Sequence, residues 1–257
     1  MQMKYYNEIL DLGVFTRQDA EQIIGNEKTT DSFLWRSLKK EYIKRIKHNY
    51  YVVTDIVNDS SLCNKYEIAT KLNKDNYVAY HSALEYYGYN NQVFNEIIYC
   101  GKKRTKDFEF DSISYHFVES KCDLQIQENY DGVRITSLER TMVDCIDRMD
   151  LAGGIEEIYR AFDCIGRVDE KKIIEILDFY DKKILYQRAG FIFETFNNKL
   201  HISDSILNYI HSKIGSSKCY LISSKKMKNT ILDKKWNVCI PTYISQILTK
   251  GGYGDEF

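Results

Sequence analysis

"KTTDSFLWRSLKKEYIKRIKHNYYVVT", residues 28–54, decides how the first part of the chain folds. Its first half has a helical pattern. Thr29 or Thr30 is placed to cap a helix, and Asp31 falls in the first turn, where the helix dipole favours a carboxylate. Leu34 and Leu38 share one stripe. Ser32, Trp35, Arg36 and Lys39, at i, i+3, i+4 and i+7, share another that is largely polar. The second half, "YIKRIKHNYYVVT", reads as two strands about a tight turn. Asn49 stands where a positive φ is easiest for a non-glycine residue.

Toward the N-terminus, Tyr6, Ile9 and Leu10 make a short amphipathic helix that ends near Gly13. "VFTRQDAEQIIG" follows: Thr16 caps a second helix, Phe15 staples onto Ala20, and Gly25 terminates it. Three short helices and a hairpin describe a winged helix-turn-helix over residues 1–57. From Lys28 to Tyr50, seven basic residues oppose only Asp31 and Glu41. Groove recognition needs polar side chains on one helix face, and a wing needs cations for the flanking phosphates. The residues expected to contact duplex DNA are Arg17, Ser32, Trp35, Arg36, Lys39, Lys40, Lys44, Arg45 and Lys47. The competing reading is a solvated basic face, with Trp35 packed under the wing.

The whole chain has 257 residues, enough for two domains, and a net charge of −1 from 36 basic and 37 acidic residues. No global field favours nucleic acid, so a basic surface must be local. No apolar run approaches membrane-spanning length and the N-terminus lacks an apolar signal core, so a cytoplasmic protein without membrane contact is expected. Seven scattered cysteines without a C-x-x-C pair suit buried, reduced thiols and give no zinc cluster; no metal or cofactor is expected.

"NDSSLCN", residues 58–64, reads as a polar linker, and residues 65–257 as a larger α+β domain. A helix near 65–72 leads into "DNYVAYHSALEYYGY", residues 75–89. Strand-like runs follow at "FNEIIYC", "DFEFDSISYHFV" and "YDGVRITS". Helices come next, the first opening with Thr136 and Glu139 in capping-box register. Strand character returns at "KCYLIS" and "WNVCIP", before a last helix at "TYISQIL".

Four groups invite a chemical reading. His81 and Ser82 are helical neighbours pointing about 100° apart, which argues against a nucleophile–base pair. Asp107, Glu109 and Asp111 alternate with Phe108 and Phe110, placing three carboxylates on one strand face. Such a row suits a divalent cation in a nuclease or nucleotidyltransferase, but a solvated strand face has the same pattern and no phosphate-cradling Gly-Ser turn precedes it. Arg140, Asp144 and Arg148 form an i, i+4 ladder, expected to be an ion-pair set along a helix face. Lys225, Lys226 and Lys228 crowd a run with no acid before Asp233: a solvated loop, or a second polyanion-binding surface.

In order along the chain, "YIKRIKHNYYVV", "YVAYHSALEYYGY", "ITSLERTMVDCID", "YQRAGFIFE" and "WNVCIP" resemble the motifs of the AbiEi antitoxins of type IV (abortive-infection) toxin–antitoxin systems. Asn49 replaces the family's usual wing glycine, and Tyr87 and Tyr89 depart from its H-S-A-L-x-x-H-G-L helix. The resemblance implies a non-enzymatic two-domain regulator. Its N-terminal domain would bind inverted repeats in its own promoter. Its C-terminal domain would counter a nucleotidyltransferase-like toxin without needing a stable complex, with Lys225, Lys226 and Lys228 as a possible antitoxin surface. The alternatives are a metal-dependent enzyme using Asp107, Glu109 and Asp111, or a solitary transcriptional regulator.

Overall fold

The structure, a computed structural model, describes residues 5–55, 60–90, 92, 94–222 and 229–244. The fold is mixed α+β and divides into two compact units. The first comprises residues 1–78, 94–121 and 126–135; the second comprises 79–93, 122–125 and 136–257.

The first unit opens with α1 (Tyr6–Leu10), β1 (Val14–Thr16), α2 (Arg17–Ile24), α3 (Glu27–Lys39), β2 (Ile43–Lys47) and β3 (Tyr50–Asp55). Thr16 closes a capping box with Asp19, and Gly25 ends α2 at φ 76°. Helix α3 starts earlier than Thr29. Asn26 is its cap, accepting from the Thr29 amide at 3.0 Å, while the Thr30 hydroxyl donates back to the Asn26 carbonyl at 2.9 Å. Asparagine caps as well as threonine does, and the earlier start gains a helical turn.

Strand β1 carries too few residues for a periodic signal, yet it pairs with β3 (Val14↔Val52) and gives the order β1-β3-β2. Strand β4 (Ser60–Ser61), within the segment read as a linker, pairs with Thr54 and Asp55. The β2–β3 turn holds Asn49 at φ 63°, as its position suggested. Phe15, Ala20, Ile24, Leu34, Ile43 and Val53 form the core beneath α2 and α3, with Leu38 packed against it.

The unit continues through α4 (Lys65–Lys71) into strands β5 (Tyr77–Val78), β6 (Glu96–Gly101), β7 (Phe108–Phe110), β8 (Ile113–Glu119), β9 (Ile126–Glu128) and β10 (Arg134–Thr136). Their order is β7-β8-β6-β5-β10-β9. "DFEFDSISYHFV" is a hairpin rather than one strand. Asp111 and Ser112 take φ values of 48° and 62°, the pair of positive values that matches the twist of two strands joined by two residues. Val14, Ile46 and Val52 share one core with Ile97, Tyr99, Tyr115 and Phe117, so both sheets of this unit pack on the same residues.

The second unit contains α5 (Tyr80–Tyr86), α6 (Leu138–Asp147), α7 (Ile155–Cys164), α8 (Glu170–Tyr180), α9 (Lys183–Thr195), α10 (Asn197–Leu200) and α11 (Asp204–Lys213). Its small sheet has the order β11-β13-β12, from β11 (Cys219–Tyr220), β12 (Thr230–Asp233) and β13 (Val238–Pro241). Ser137, not Thr136, caps α6 by accepting from the Arg140 amide. Glu139 is thereby free to accept from the Asp169 amide at 3.0 Å and tie α6 to the start of α8. The last helical run is described only through Ile244. Five of the seven free cysteines are buried as expected; Cys239 is half-buried and Cys164 exposed. Among the described residues no helix is long and apolar enough to cross a membrane.

Candidate nucleic-acid interface

Helix α3 sorts its residues by the 100° step between neighbours. Thr30, Leu34 and Ser37 turn inward. Ser32, Trp35, Arg36 and Lys39 turn outward and all four are exposed. Trp35 is 62% exposed, so it does not pack under the wing. The Lys39 ammonium lies 5.3 Å from its ring centre, which sets a cation and an apolar plane side by side. Arg36 makes no ion pair among the described residues.

The passage from α3 into β2 is tightly held. Glu41 takes φ 59°, the Tyr42 amide donates to the Ser37 carbonyl at 3.0 Å, and the Thr54 hydroxyl donates to the Glu41 carbonyl. Lys40 lies over Tyr42, 5.7 Å from its centre. In β2, Lys44 is half-buried and Arg45 exposed, with the Arg45 guanidinium 5.7 Å from the Tyr51 ring.

Lys47 has a different setting. Its ammonium lies 4.8 Å from the Tyr50 ring centre and 4.9 Å from that of Phe108, which is stacked on Tyr115 at 4.5 Å. Burial pulls its pKa down. Lys47 therefore rests the β2–β3 hairpin against β7 instead of standing in solvent. Nothing in the residues around Lys47 signals this; the alternating aromatics of β7 and β8 are its trace in the sequence.

Arg17 is also committed within the fold. Its Nε donates to Asp31 at 2.8 Å, one Nη to Glu21 at 2.8 Å and the other to Glu27 at 3.2 Å. One guanidinium among three carboxylates clamps α2 to α3, and its charge is locally outweighed. The hydrogen bond to Asp31 raises the Arg17 pKa further and holds the Asp31 carboxyl below its usual range. Arg17, expected among the DNA contacts, is turned by the helix packing onto these three acids. The remaining set, Ser32, Trp35, Arg36, Lys39, Lys40, Lys44 and Arg45, occupies α3, the turn after it and β2.

The other chemical groupings are placed as follows. Ser82 Oγ lies 3.4 Å from His81 Nδ1, so helical neighbours do approach each other here. The contact is long, and the two residues are only 3% and 0% exposed. Asp107, Glu109 and Asp111 do not form a row on one strand face. Asp111 lies in the hairpin turn, and Asp107 precedes β7, accepting from the Phe117 amide at 3.0 Å and contacting His116 Nδ1 at 2.6 Å. No cluster of three or more metal-ligating side chains occurs among the described residues.

The ladder Arg140–Asp144–Arg148 is corrected too. Arg140 and Asp144 form a buried pair at 2.7 Å, with side chains 1% and 2% exposed. Arg140 also donates to the Leu124 carbonyl and Tyr180 to Asp144, whereas Arg148 turns away to Asp150. Burial raises the Asp144 pKa against the opposing pull of Arg140. Lys225, Lys226 and Lys228 lie outside the described residues.

Comparison with known proteins adds the fold. No family model matches the chain. No curated protein matches it either. Its structure is similar to the crystal structure of the RV2827C protein from Mycobacterium tuberculosis, with a TM-score of 0.66 at 11% sequence identity over 96% of this chain and 94% of that one. At that identity the likeness concerns the fold alone.

Proposed function

We propose that residues 1–57 form a winged helix-turn-helix that binds duplex DNA, with α3 as the helix entering the major groove. The observation that carries this reading is the outward row Ser32–Trp35–Arg36–Lys39, exposed along its length and without acids of its own. Arg36 reads a base edge, Trp35 supplies an apolar surface for a thymine methyl or sugar, and Lys39 and Lys40 approach phosphate. Lys44 and Arg45 meet the flanking backbone from the wing. Arg17 orients α2 against α3, and Lys47 orients the wing.

In the same reading the chain is an antitoxin and autorepressor of the AbiEi kind. It occupies inverted repeats in its own promoter and counters a nucleotidyltransferase-like toxin without needing a stable complex. The ordered set of motifs quoted above supports this. The direct test is a gel-shift titration on the promoter DNA upstream of its own reading frame. Arg36→Ala should lose about 1–3 kcal/mol of discrimination between that promoter and a scrambled duplex. Unchanged affinity and unchanged preference would remove Arg36 from base readout. The antitoxin half is tested by whether the neighbouring reading frame encodes a nucleotidyltransferase that arrests growth when this protein is absent.

A further inference from the structure

We propose that the second unit carries a binding site for a small aromatic anion, a ring system bearing a phosphate or carboxylate, in the cleft between α7, α9 and the β11 edge. The cleft encloses about 760 Å³, within the usual range for small-molecule sites. Its cation is Arg188, which lines the cleft from α9, whose neighbouring residues Gln187 and Ala189 are buried. Arg188 Nε donates to the Tyr220 carbonyl at 2.9 Å, and the guanidinium makes no ion pair among the described residues.

A half-buried guanidinium that makes no ion pair is costly, because it has given up water and gains only the through-space attraction of Asp147. Burial accordingly lowers the Arg188 pKa, though arginine keeps its proton. The acids lining the cleft do not fill the need. Asp147 is held by Lys182 at 2.6 Å, and Asp150 by two nitrogens of Arg148 at 3.0 and 2.7 Å. Glu156 sits in the first turn of α7, where the helix dipole favours it. Lys218, exposed at the cleft, adds a second positive charge. What remains for a ligand is a fork suited to an oxyanion.

The body of the ligand is indicated by the rim. Ile184, Tyr220 and Tyr243 line the cleft while 53%, 46% and 43% exposed, an unusual concentration of large apolar side chains left open to solvent. Two tyrosine rings and an isoleucine suit the faces of a flat ring better than a sugar or a bare inorganic ion. The cleft uses none of the residues assigned to DNA, so its occupancy and DNA binding are separately measurable.

The test is calorimetric titration of the full-length chain with AMP, UMP and 4-hydroxybenzoate, and with adenosine, uridine and 4-hydroxybenzamide as neutral counterparts. Saturable binding is expected for at least one anion, with its neutral counterpart weaker by about tenfold or more, the worth of one charge-assisted hydrogen bond. Which anion binds separates phosphate from carboxylate. Arg188→Gln should weaken binding by a similar factor. Because Arg188 also holds Tyr220, the melting temperature of that variant is measured alongside. The exposed substitutions Lys218→Ala and Tyr243→Ala, which leave that bond intact, should each weaken binding whether or not Arg188→Gln folds. No saturable binding of any of the three anions at millimolar concentration overturns the assignment. So does equal affinity for the neutral compounds, or full binding by both Lys218→Ala and Tyr243→Ala.

Discussion

Gly190 lies inside α9, where glycine is normally a liability, and the reason it is tolerated is Trp236. A Cβ at position 190 would lie 2.1, 2.2 and 2.6 Å from Cζ3, Cε3 and Cη2 of that indole. The ring has nowhere to retreat. It is fully buried, its Nε1 donates to Glu194 at 2.7 Å, and its backbone amide donates to Asp233 at 2.8 Å. In Gly190→Ala, helix propensity returns about 1 kcal/mol. Overpacking takes away about 1–3 kcal/mol, and contacts this close belong at the upper end. The expected result is a net loss of about 2 kcal/mol.

Trp236→Leu removes the offending atoms and should itself cost about 3–5 kcal/mol, as other aromatic truncations do. In that background Gly190→Ala should be neutral or stabilise by up to about 1 kcal/mol. The two positions should therefore couple by about 2–3 kcal/mol. Urea unfolding of the four proteins, followed by far-UV circular dichroism, reads this from midpoints at constant slope. If Gly190→Ala costs the same in both backgrounds, the penalty is not steric and the packing of α9 on Trp236 has been misjudged.

Three further outcomes follow from the same style of accounting. Arg140→Ala strands the Asp144 carboxylate in the core and should cost about 3–5 kcal/mol, while Arg148→Ala, at an exposed pair with Asp150, should stay within about 0.5 kcal/mol in the same unfolding assay. Burial works to raise the Glu194 pKa, but hydrogen bonds from Lys235 and Trp236 hold it below the usual glutamate range; a depressed acid stabilises the fold above its unfolded pKa and loses that contribution as pH falls through the folded value, so Glu194→Gln should flatten the acid limb of stability against pH. In salt titrations of DNA binding, Lys44→Ala and Arg45→Ala should each lower the slope by about one, whereas Lys47→Ala should weaken binding with little change in slope, because its ammonium lies against Tyr50 and Phe108; equal slope changes at all three positions would contradict the distinction.

Local signals were legible wherever side chain and backbone agree. Thr16 and Gly25 bound α2 and Asn49 takes the β2–β3 turn because each acts within one turn of itself. The start of α3 was misplaced because Asn26, Thr29 and Thr30 are all capping residues, and only the packing of Thr30 inward decides among them. Strands β1, β4 and β5 have three residues or fewer and exist through their partners, so no periodicity announces them. The hairpin in "DFEFDSISYHFV" was hidden because Asp111 and Ser112 turn the chain without glycine or asparagine.

One physical cause runs through the candidate sites. Spacing tells which side chains share a face, but not whether that face meets water or protein. His81, Arg140 and Asp144 have the residue types of chemistry, and each is buried. Arg140 and Asp144 complete each other's hydrogen bonds, as buried polar groups must. Gly190, Glu194 and Trp236, from two separate motifs, meet in one packing contact. The motifs through which the second unit resembles the AbiEi family are thus largely its scaffold, and they speak for the fold more strongly than for whatever the unit acts upon. The α3 row has the opposite character. Ser32, Trp35, Arg36 and Lys39 remain exposed, while Arg17 is consumed by three carboxylates. A stripe held rigid from beneath by Leu34 and Thr30, with its charge unspent, is what contact with a polyanion requires. That is why the proposal of DNA binding rests on α3 and the β2–β3 hairpin, and the proposed role of the second unit on its cleft.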